Sequence, residues 1–302
     1  MRYRFITADV FTGHPYGGNP LAIVLDADGL STPQMQRIAR QFNYSETSFV
    51  LAPKDPCHTA WVRIFTPDRE VPFAGHPNVG TAVVLAQELA AAGRAVPDQV
   101  LFEEAGGLVR IGLLKEGQSI VGAELTAPQA LERLDQAEVN AVAFALTLEP
   151  SDIVFKEHRP QVVSVGLPFL VVQLASRDAL RRARPRADGY AQLLPLAGAT
   201  SIYAYTNDTS SNTQDDRIDL HARMFTSRMT EDPATGSATA AMAALCADIN
   251  RDQAMPLRVA QGVDMGRPSV LIAHAMHRDG KIWATVAGGA VRVMEGELIA
   301  PA

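Results

Sequence analysis

Cysteine is nearly absent from this sequence, which has only Cys57 and Cys246 among its 302 residues. A small disulfide-stabilised module would carry more cysteines, and Cys246 falls in an apolar stretch with helical character, so we do not expect a structural disulfide. No pair of Cys or His residues has the spacing of metal ligands, and no metal site is predicted. A reducing, cytoplasmic setting is therefore expected.

Long apolar runs and an excess of positive charge are also absent. No run approaches the ~20 apolar residues that span a bilayer, and the N-terminal apolar stretch is broken at Asp9, which argues against a signal peptide. The formal net charge is -6, whereas a nucleic-acid or anionic-membrane partner favours a basic patch. We therefore expect neither nucleic acid nor a membrane as a partner.

The common signatures of cofactor and nucleophile sites are missing too. There is no phosphate-binding loop, no GxGxxG after a strand and no nucleophile elbow. The composition is that of an ordinary soluble protein, with 47% hydrophobic and 20% charged residues. A chain of this length is long for one core and suits two domains.

Two stretches of the sequence are similar to each other, GHPNVGTAVVL at 75–85 and EDPATGSATAA at 231–241. The overlay places like residues together: Pro77 on Pro233, Gly80 on Gly236 and Thr81 on Ser237. A Phe-Thr pair precedes each stretch. The order of predicted elements also repeats, so we predict two similarly built α+β halves. The first is 1–125, which the last strand at about 290–302 can complete, and the second is 126–289.

Each half contains one predicted helix without charge, starting at Pro77 in the first half and at Pro233 in the second. A helix that is polar on no face should be enclosed on every face. Because strands are abundant in each half, we expect each helix to lie at the centre of its own rolled sheet. We also predict a helix over 128–146 and two turns in the C-terminal strands, at 279–280 and 288–289. The polar stretch 206–216 is predicted to be an exposed loop.

The starts of the two central helices carry small residues, and these let a ligand approach the backbone closely. Free amides at a helix start suit a carboxylate. Asp232 and His76 hold matching places in the overlay, although Asp232 is also a favourable N-cap residue. Glu46 precedes an apolar strand, and two interpretations are open. It is either an exposed turn residue or, if its side chain is desolvated, a general acid–base catalyst. Ser237 can bind a ligand or satisfy its own helix backbone.

In combination, the motifs resemble the PhzF-like isomerases of phenazine biosynthesis, which share the diaminopimelate epimerase fold. The matching segments occur in the family's order: DVFTGHPYGGNPLAIVL, YSETSFV, IFTPDREVPFAGHPNVGTA, ARMFTSRMTEDPATGSATAA and QGVDMGRPS. The resemblance implies a cofactor-free enzyme of two pseudo-symmetric domains, each a sheet rolled around a helix, with the active site in the cleft between them. Members of the family are commonly homodimers.

The resemblance also implies roles for particular residues. Glu46, in the SETSF motif, corresponds to the family's proton-transferring residue. The other implied site residues line the substrate pocket from two loops: Gly75 and His76 in one, and Asp232, Gly236 and Ser237 in the other. Of these, we expect His76 and Asp232 to be catalytic beside Glu46, by orienting the substrate and assisting tautomerisation, and Gly75, Gly236 and Ser237 to bind the substrate.

Related epimerases use one thiol in each loop, and neither loop of this sequence contains cysteine, so a two-thiol racemase is disfavoured. The expected function is an isomerase that moves a proton on a small carboxylated metabolite, such as a cyclohexadiene amino acid. Two alternatives stay open: an amino-acid epimerase with carboxyl or imidazole bases, and a small-carboxylate-binding protein that has lost catalysis.

Overall fold

The computed structural model describes residues 1–210, 217–250 and 256–301. The chain divides into two compact units. Unit 1 is Met1–Leu125 together with the chain from Ala287 onward, and unit 2 is Thr126–Val286. Most of the predicted loop at 206–216 lies outside the described residues.

The elements of both units follow in chain order. Unit 1 contains β1 (Arg2–Val10), β2 (Asn19–Val24), α1 (Thr32–Phe42), β3 (Glu46–Leu51), β4 (Ala60–Phe65), β5 (Glu70–Val71), α2 (Gly75–Ala91), β6 (Gln99–Glu104), β7 (Gly107–Glu116) and β8 (Ser119–Thr126). Unit 2 contains β9 (Glu132–Gln136), α3 (Val139–Leu146), β10 (Ile153–Val154), β11 (Gln161–Ser164), β12 (Pro168–Leu174), α4 (Arg177–Arg182), α5 (Ala187–Leu193), β13 (Ile202–Thr206), β14 (Leu220–Phe225), β15 (Glu231–Asp232), α6 (Gly236–Ile249), β16 (Leu257–Gln261) and β17 (Ser269–Arg278). The last strand, β18 (Lys281–Ile299), begins in unit 2 and ends in unit 1.

Strand pairing follows the same order in the two units. In unit 1, β1 and β2 pair antiparallel, β2 and β3 parallel, β3 and β4 antiparallel, β4 and β6 parallel, and β6 and β7 antiparallel. In unit 2, the series β11, β12, β13, β14, β16 and β17 repeats these directions step by step. The C-terminal part of β18 adds to unit 1 by pairing with β1. The repeated order of elements is therefore matched by repeated topology.

The uncharged helices α2 and α6 are buried, as predicted. Residues from Gly75 to Val84 are all buried in α2, and in α6 the chain from Ala238 to Leu245 is buried as well. Strands β1, β2, β3 and β7 contact α2, whereas β11, β12 and β17 contact α6. Strands thus surround each helix, which explains why neither helix has a charged face. None of the helices in the described part of the chain has the length and apolar character of a membrane-spanning helix.

The predicted starts of both central helices were wrong. α2 begins at Gly75, and Pro77 is its third residue, where the missing N–H is one of the helix's unbonded donors in any case. α6 begins at Gly236 with Thr235 as its N-cap. Pro233 therefore lies in the link before the helix, and Asp232 is a residue of β15 rather than the helix cap.

The overlay of the two halves was also wrong, by five residues. The structure aligns EVPFAGH at 70–76 with EDPATGS at 231–237, because β5 precedes α2 by the same interval as β15 precedes α6. His76 therefore matches Ser237, and not Asp232.

Two further predictions failed for reasons of tertiary structure. The predicted helix over 128–146 is a helix only at its end, in α3, because β9 pairs with β11 and this pairing overrides helix propensity. Gly288 and Gly289 continue β18 instead of turning the chain. A Cβ on Gly288 would lie 2.4 Å from Phe11 Cδ1, so glycine is required there for close approach. The turn at Asp279–Gly280 is formed as predicted.

Candidate active site

Glu46 is the first residue of β3, and the preceding elements fix its place. Helix α1 ends at Phe42, and the left-handed φ of 54° at its C-cap, Asn43, turns the chain towards the sheet. Glu46 then pairs with Leu21 of β2 in a parallel register. Its side chain is 20% exposed, whereas the following Thr47 and Ser48 are buried. The carboxyl group thus stands at the boundary between the core of unit 1 and its surface.

His76, the second residue of α2, lies beside Glu46. Its Nδ1 is 3.2 Å from Oε2 of Glu46, and its side chain is 6% exposed. Burial lowers the pKa of His76 from 6.5 to about 3, and the backbone carbonyl of Pro20 opposes this only in part. The imidazole is therefore neutral at neutral pH. Its Nδ1–H can donate a hydrogen bond to a Glu46 carboxylate, and in the other tautomer Nδ1 can accept a hydrogen bond from a Glu46 carboxylic acid.

Glu104 of unit 1 has a largely buried carboxyl group that was not predicted from the sequence. Burial raises the pKa of Glu104 from 4.5 to about 8, and the Asn78 side chain beside it opposes this shift. A signal was present, because Glu104 follows Val100 and Phe102 at alternate positions of β6 and so shares their buried face. Glu103, on the other face, accepts two backbone N–H bonds and contacts His58, which lowers its pKa to about 2.

Asp232 belongs to a hydrogen-bonded network in unit 2. Thr235 Oγ1 donates to Asp232 Oδ2 at 2.5 Å. The buried Gln261 donates from Nε2 to the backbone oxygen of Asp232 at 2.8 Å and to Thr235 Oγ1 at 3.0 Å, while its Oε1 accepts from the Thr235 backbone N–H at 3.1 Å. This network holds the link between β15 and α6 in one conformation. Neither Thr235 nor Gln261 was predicted from the sequence to belong to the site.

Gly236 and Ser237 are the first two residues of α6, and Gly75 and His76 hold the same positions in α2. Gly236 is buried, and the Ser237 side chain is half-buried. The structure thus forms two groups from the predicted residues. We call Glu46, Gly75 and His76 of unit 1 the Glu46 group, and Asp232, Gly236 and Ser237 of unit 2 the Asp232 group.

Matching Arg–Glu pairs stand just before the helix starts in both units, and the sequence analysis missed them. Arg63 donates two hydrogen bonds to Glu70, of 2.8 and 2.6 Å. Arg223 likewise donates two hydrogen bonds to Glu231, of 2.9 and 2.7 Å. Arg223 also donates to backbone carbonyls at the end of α4, including that of Leu180. Paired, largely buried ions of this geometry hold β5 and β15 firmly against their neighbours. Glu231 is the residue next to Asp232, so its Arg fixes the strand that carries this carboxylate.

Neither cysteine is placed to act as a base. Both are free, and Cys57 is exposed in a connecting segment. Cys246 lies far along α6, where burial raises the pKa of its thiol to about 11. Within the described residues, no group of three His, Cys, Asp or Glu side chains could hold a metal ion. The groups available for proton transfer at the predicted site are therefore carboxyl and imidazole.

Known proteins resemble this chain along its whole length. The family model described as phenazine biosynthesis-like protein matches residues 8–296. A protein of Mesorhizobium japonicum named as an isomerase is 38% identical, over 97% of this chain and 98% of its own. The trans-2,3-dihydro-3-hydroxyanthranilate isomerase of Pseudomonas chlororaphis is 32% identical, over 98% of this chain and 99% of its own.

A solved structure has the same fold. The PhzF-family phenazine biosynthesis protein of Bacillus anthracis superimposes with a TM-score of 0.87 at 27% identity, covering 99% of each chain. A probable proline racemase of Agrobacterium radiobacter also shares the fold, with a TM-score of 0.65 at 12% identity over 98% of this chain and 93% of its own. The expected α+β, epimerase-like architecture is thereby confirmed. The chain belongs to the phenazine biosynthesis-like family and is an isomerase.

Proposed function

We propose that the chain is a cofactor-independent isomerase that shifts a hydrogen between two carbons of a small carboxylated metabolite, and that Glu46 carries the proton. The observation that supports this most is the contact between Glu46 and His76 at 3.2 Å. A neutral imidazole beside the carboxyl gives Glu46 a hydrogen-bond partner in both protonation states, since the imidazole either donates or accepts a hydrogen bond.

The proposed reaction needs one proton and no redox partner. The Glu46 carboxylate takes a proton from one carbon of the substrate, and the electron pair left behind is delocalised towards the second carbon. The resulting Glu46 carboxylic acid returns the proton to that second carbon, so the carboxylate is regenerated. A carboxyl that is only 20% exposed is partly shielded from exchange with water between the two steps.

The relatives and the Asp232 group support the proposed substrate class. The relative from Pseudomonas chlororaphis is named for a dihydro ring that bears a carboxylate, an amino group and a hydroxyl group. The start of α6 offers backbone N–H groups beside Gly236 and the hydroxyl of Ser237, and these suit a carboxylate. A small ring carboxylate of this kind is therefore the substrate that we propose.

The alternative is an epimerase that uses two bases without thiols. Asp232 supports it, since it is a second carboxylate that a network holds in a fixed position. The two mechanisms differ in the origin of the hydrogen in the product. A single shuttling base returns the hydrogen it removed, whereas two opposed bases replace it with hydrogen from solvent.

The test is turnover of trans-2,3-dihydro-3-hydroxyanthranilate by the wild type and by Glu46→Gln. Because the amide keeps the shape and removes the base, turnover should fall by about 10²–10⁴-fold while binding persists. Glu116→Gln, at an exposed carboxylate of β7, is the control and should keep full turnover. Wild-type turnover in Glu46→Gln would exclude Glu46 as the proton carrier.

We also propose that the protein is a homodimer and that its two units are domains. Light scattering tests the oligomeric state and should give twice the chain mass of 32.5 kDa. A mass of one chain would contradict the dimer.

A further inference from the structure

The loop between β1 and β2 presents an aromatic residue that the fold does not use. The side chain of Tyr16 is 75% exposed, and its φ is 70°. Both features are unfavourable, because the ring leaves apolar surface in water and the left-handed backbone crowds the Cβ of any residue except glycine. Backbone outliers of this kind that persist in a well-built loop are associated with functional sites.

The surrounding structure enforces this conformation. The backbone N–H of Tyr16 donates to Oδ2 of Asp9 at 2.6 Å, and Asp9 is only 4% exposed. The loop then closes against β1 at Gly18, where φ is 61° and a Cβ would lie 2.3 Å from the Val10 carbonyl oxygen. A buried carboxylate and a required glycine thus hold the backbone that carries the exposed ring.

The same loop leads directly to the Glu46 group. Four residues after Tyr16, the carbonyl of Pro20 borders His76, and the next residue, Leu21, pairs with Glu46. Four residues of chain reach at most about 14 Å. Because β2 and β3 run parallel, the loop before β2 lies at the same end of the sheet as Glu46. The anchored backbone of Tyr16 therefore lies at the end of the sheet where the proton-transferring carboxyl stands.

We infer that Tyr16 covers one face of the ring of a substrate at the Glu46 group and gives the enzyme its preference for ring carboxylates. This inference rests on the proposed function. A flat ring that packs against the phenol face gains dispersion energy and loses hydrated surface, whereas an acyclic carboxylate gains little. Because the backbone at Tyr16 is already fixed, ligand binding orders only the two side-chain torsions of the residue, and little conformational entropy is lost.

The experiment compares Tyr16→Gly and Tyr16→Phe with the wild type. Glycine removes the ring and relieves the positive φ, while phenylalanine keeps the ring and removes only the hydroxyl. Isothermal titration measures binding of 3-hydroxyanthranilate, a planar ring carboxylate, and of succinate, an acyclic one. We expect Tyr16→Gly to bind 3-hydroxyanthranilate at least about tenfold more weakly than the wild type and to bind succinate unchanged. Tyr16→Phe should bind both as the wild type does.

Thermal unfolding separates this role from a structural one. If Tyr16 served the fold, Tyr16→Gly would lower the melting temperature, whereas relief of strain should leave it equal or higher. Unchanged affinity of Tyr16→Gly for 3-hydroxyanthranilate, equal losses for both carboxylates, or no binding of 3-hydroxyanthranilate to the wild type would each overturn the inference. The inference would also be overturned if Tyr16→Gly differed from the wild type only in its oligomeric state, because the ring would then be a contact between copies of the chain. Turnover by Glu46→Gln tests the proposed function separately, because it does not depend on these affinities.

Discussion

Replacing Glu104 by glutamine should stabilise the protein, and the gain should grow with pH. Burial raises the pKa of Glu104 to about 8 in the folded protein, against 4.5 in the unfolded chain. Between these values the folded protein holds a proton that the unfolded chain releases, so the wild type loses stability as the pH rises through this window. Glutamine cannot ionise, and its amide can exchange hydrogen bonds with Asn78.

The size of the effect follows from the two pKa values. Each pKa unit corresponds to about 1.4 kcal/mol, which sets a ceiling of about 5 kcal/mol at pH 8 and above. We expect about 2 kcal/mol, because structural relaxation and water penetration reduce the cost of a buried charge. Below pH 4.5 the titration should give no difference between Glu104→Gln and the wild type.

The assay is urea unfolding of both proteins at pH 5, 7 and 9, followed by circular dichroism. Glu103→Gln is the matched control on the neighbouring residue. Its pKa is lowered to about 2, so the stability that Glu103 contributes is present above pH 4.5 and is lost as the pH falls towards 2. Glu103→Gln should therefore destabilise the protein at all three pH values. A gain for Glu104→Gln that stays constant from pH 5 to 9, or a loss at pH 9, would refute the reasoning.

Two further substitutions test other parts of the structure. Arg223→Lys keeps the positive charge but loses the pair of hydrogen bonds to Glu231. Because we expect the Arg223–Glu231 pair to position Asp232, the substitution should lower kcat by a larger factor than it raises KM in steady-state kinetics. A kcat equal to that of the wild type would exclude this positioning role. Gly288→Ala places a Cβ 2.4 Å from a Phe11 ring carbon and should cost about 1–3 kcal/mol in urea unfolding, whereas Gly13→Ala, with nothing within 4 Å, should cost close to nothing.

The central helices were predictable because their signal is local. An uncharged stretch of helical length is required to be buried, and both α2 and α6 are. Their exact starts were not predictable from the same stretches. Pro72 and Pro77 each precede a glycine by three residues, so both match the spacing of Pro233 and Gly236. Only the pairing of β5 and β15 with their neighbours decides between the two overlays.

The parts of the site that depend on distant contacts were not predictable in detail. The contact between Glu46 and His76 joins residues 30 positions apart in sequence. The resemblance to a family implied that both residues belong to one site, but neither it nor any spacing predicted the contact. Likewise, Gly288 and Gly289 have the composition of a turn, but their glycines serve a close approach to Phe11 and Thr12. Such approaches belong to the tertiary structure, and a single sequence does not reveal them.

The most direct test of single-base catalysis follows the transferred hydrogen. A substrate that the enzyme converts, with trans-2,3-dihydro-3-hydroxyanthranilate as the first choice, is passed through one turnover in D₂O, and the product is analysed by mass spectrometry and NMR. If Glu46 carries one proton between two carbons, part of the product keeps the original hydrogen at the new position. Complete incorporation of deuterium with inversion at a single carbon would contradict the shuttle and support two opposed bases.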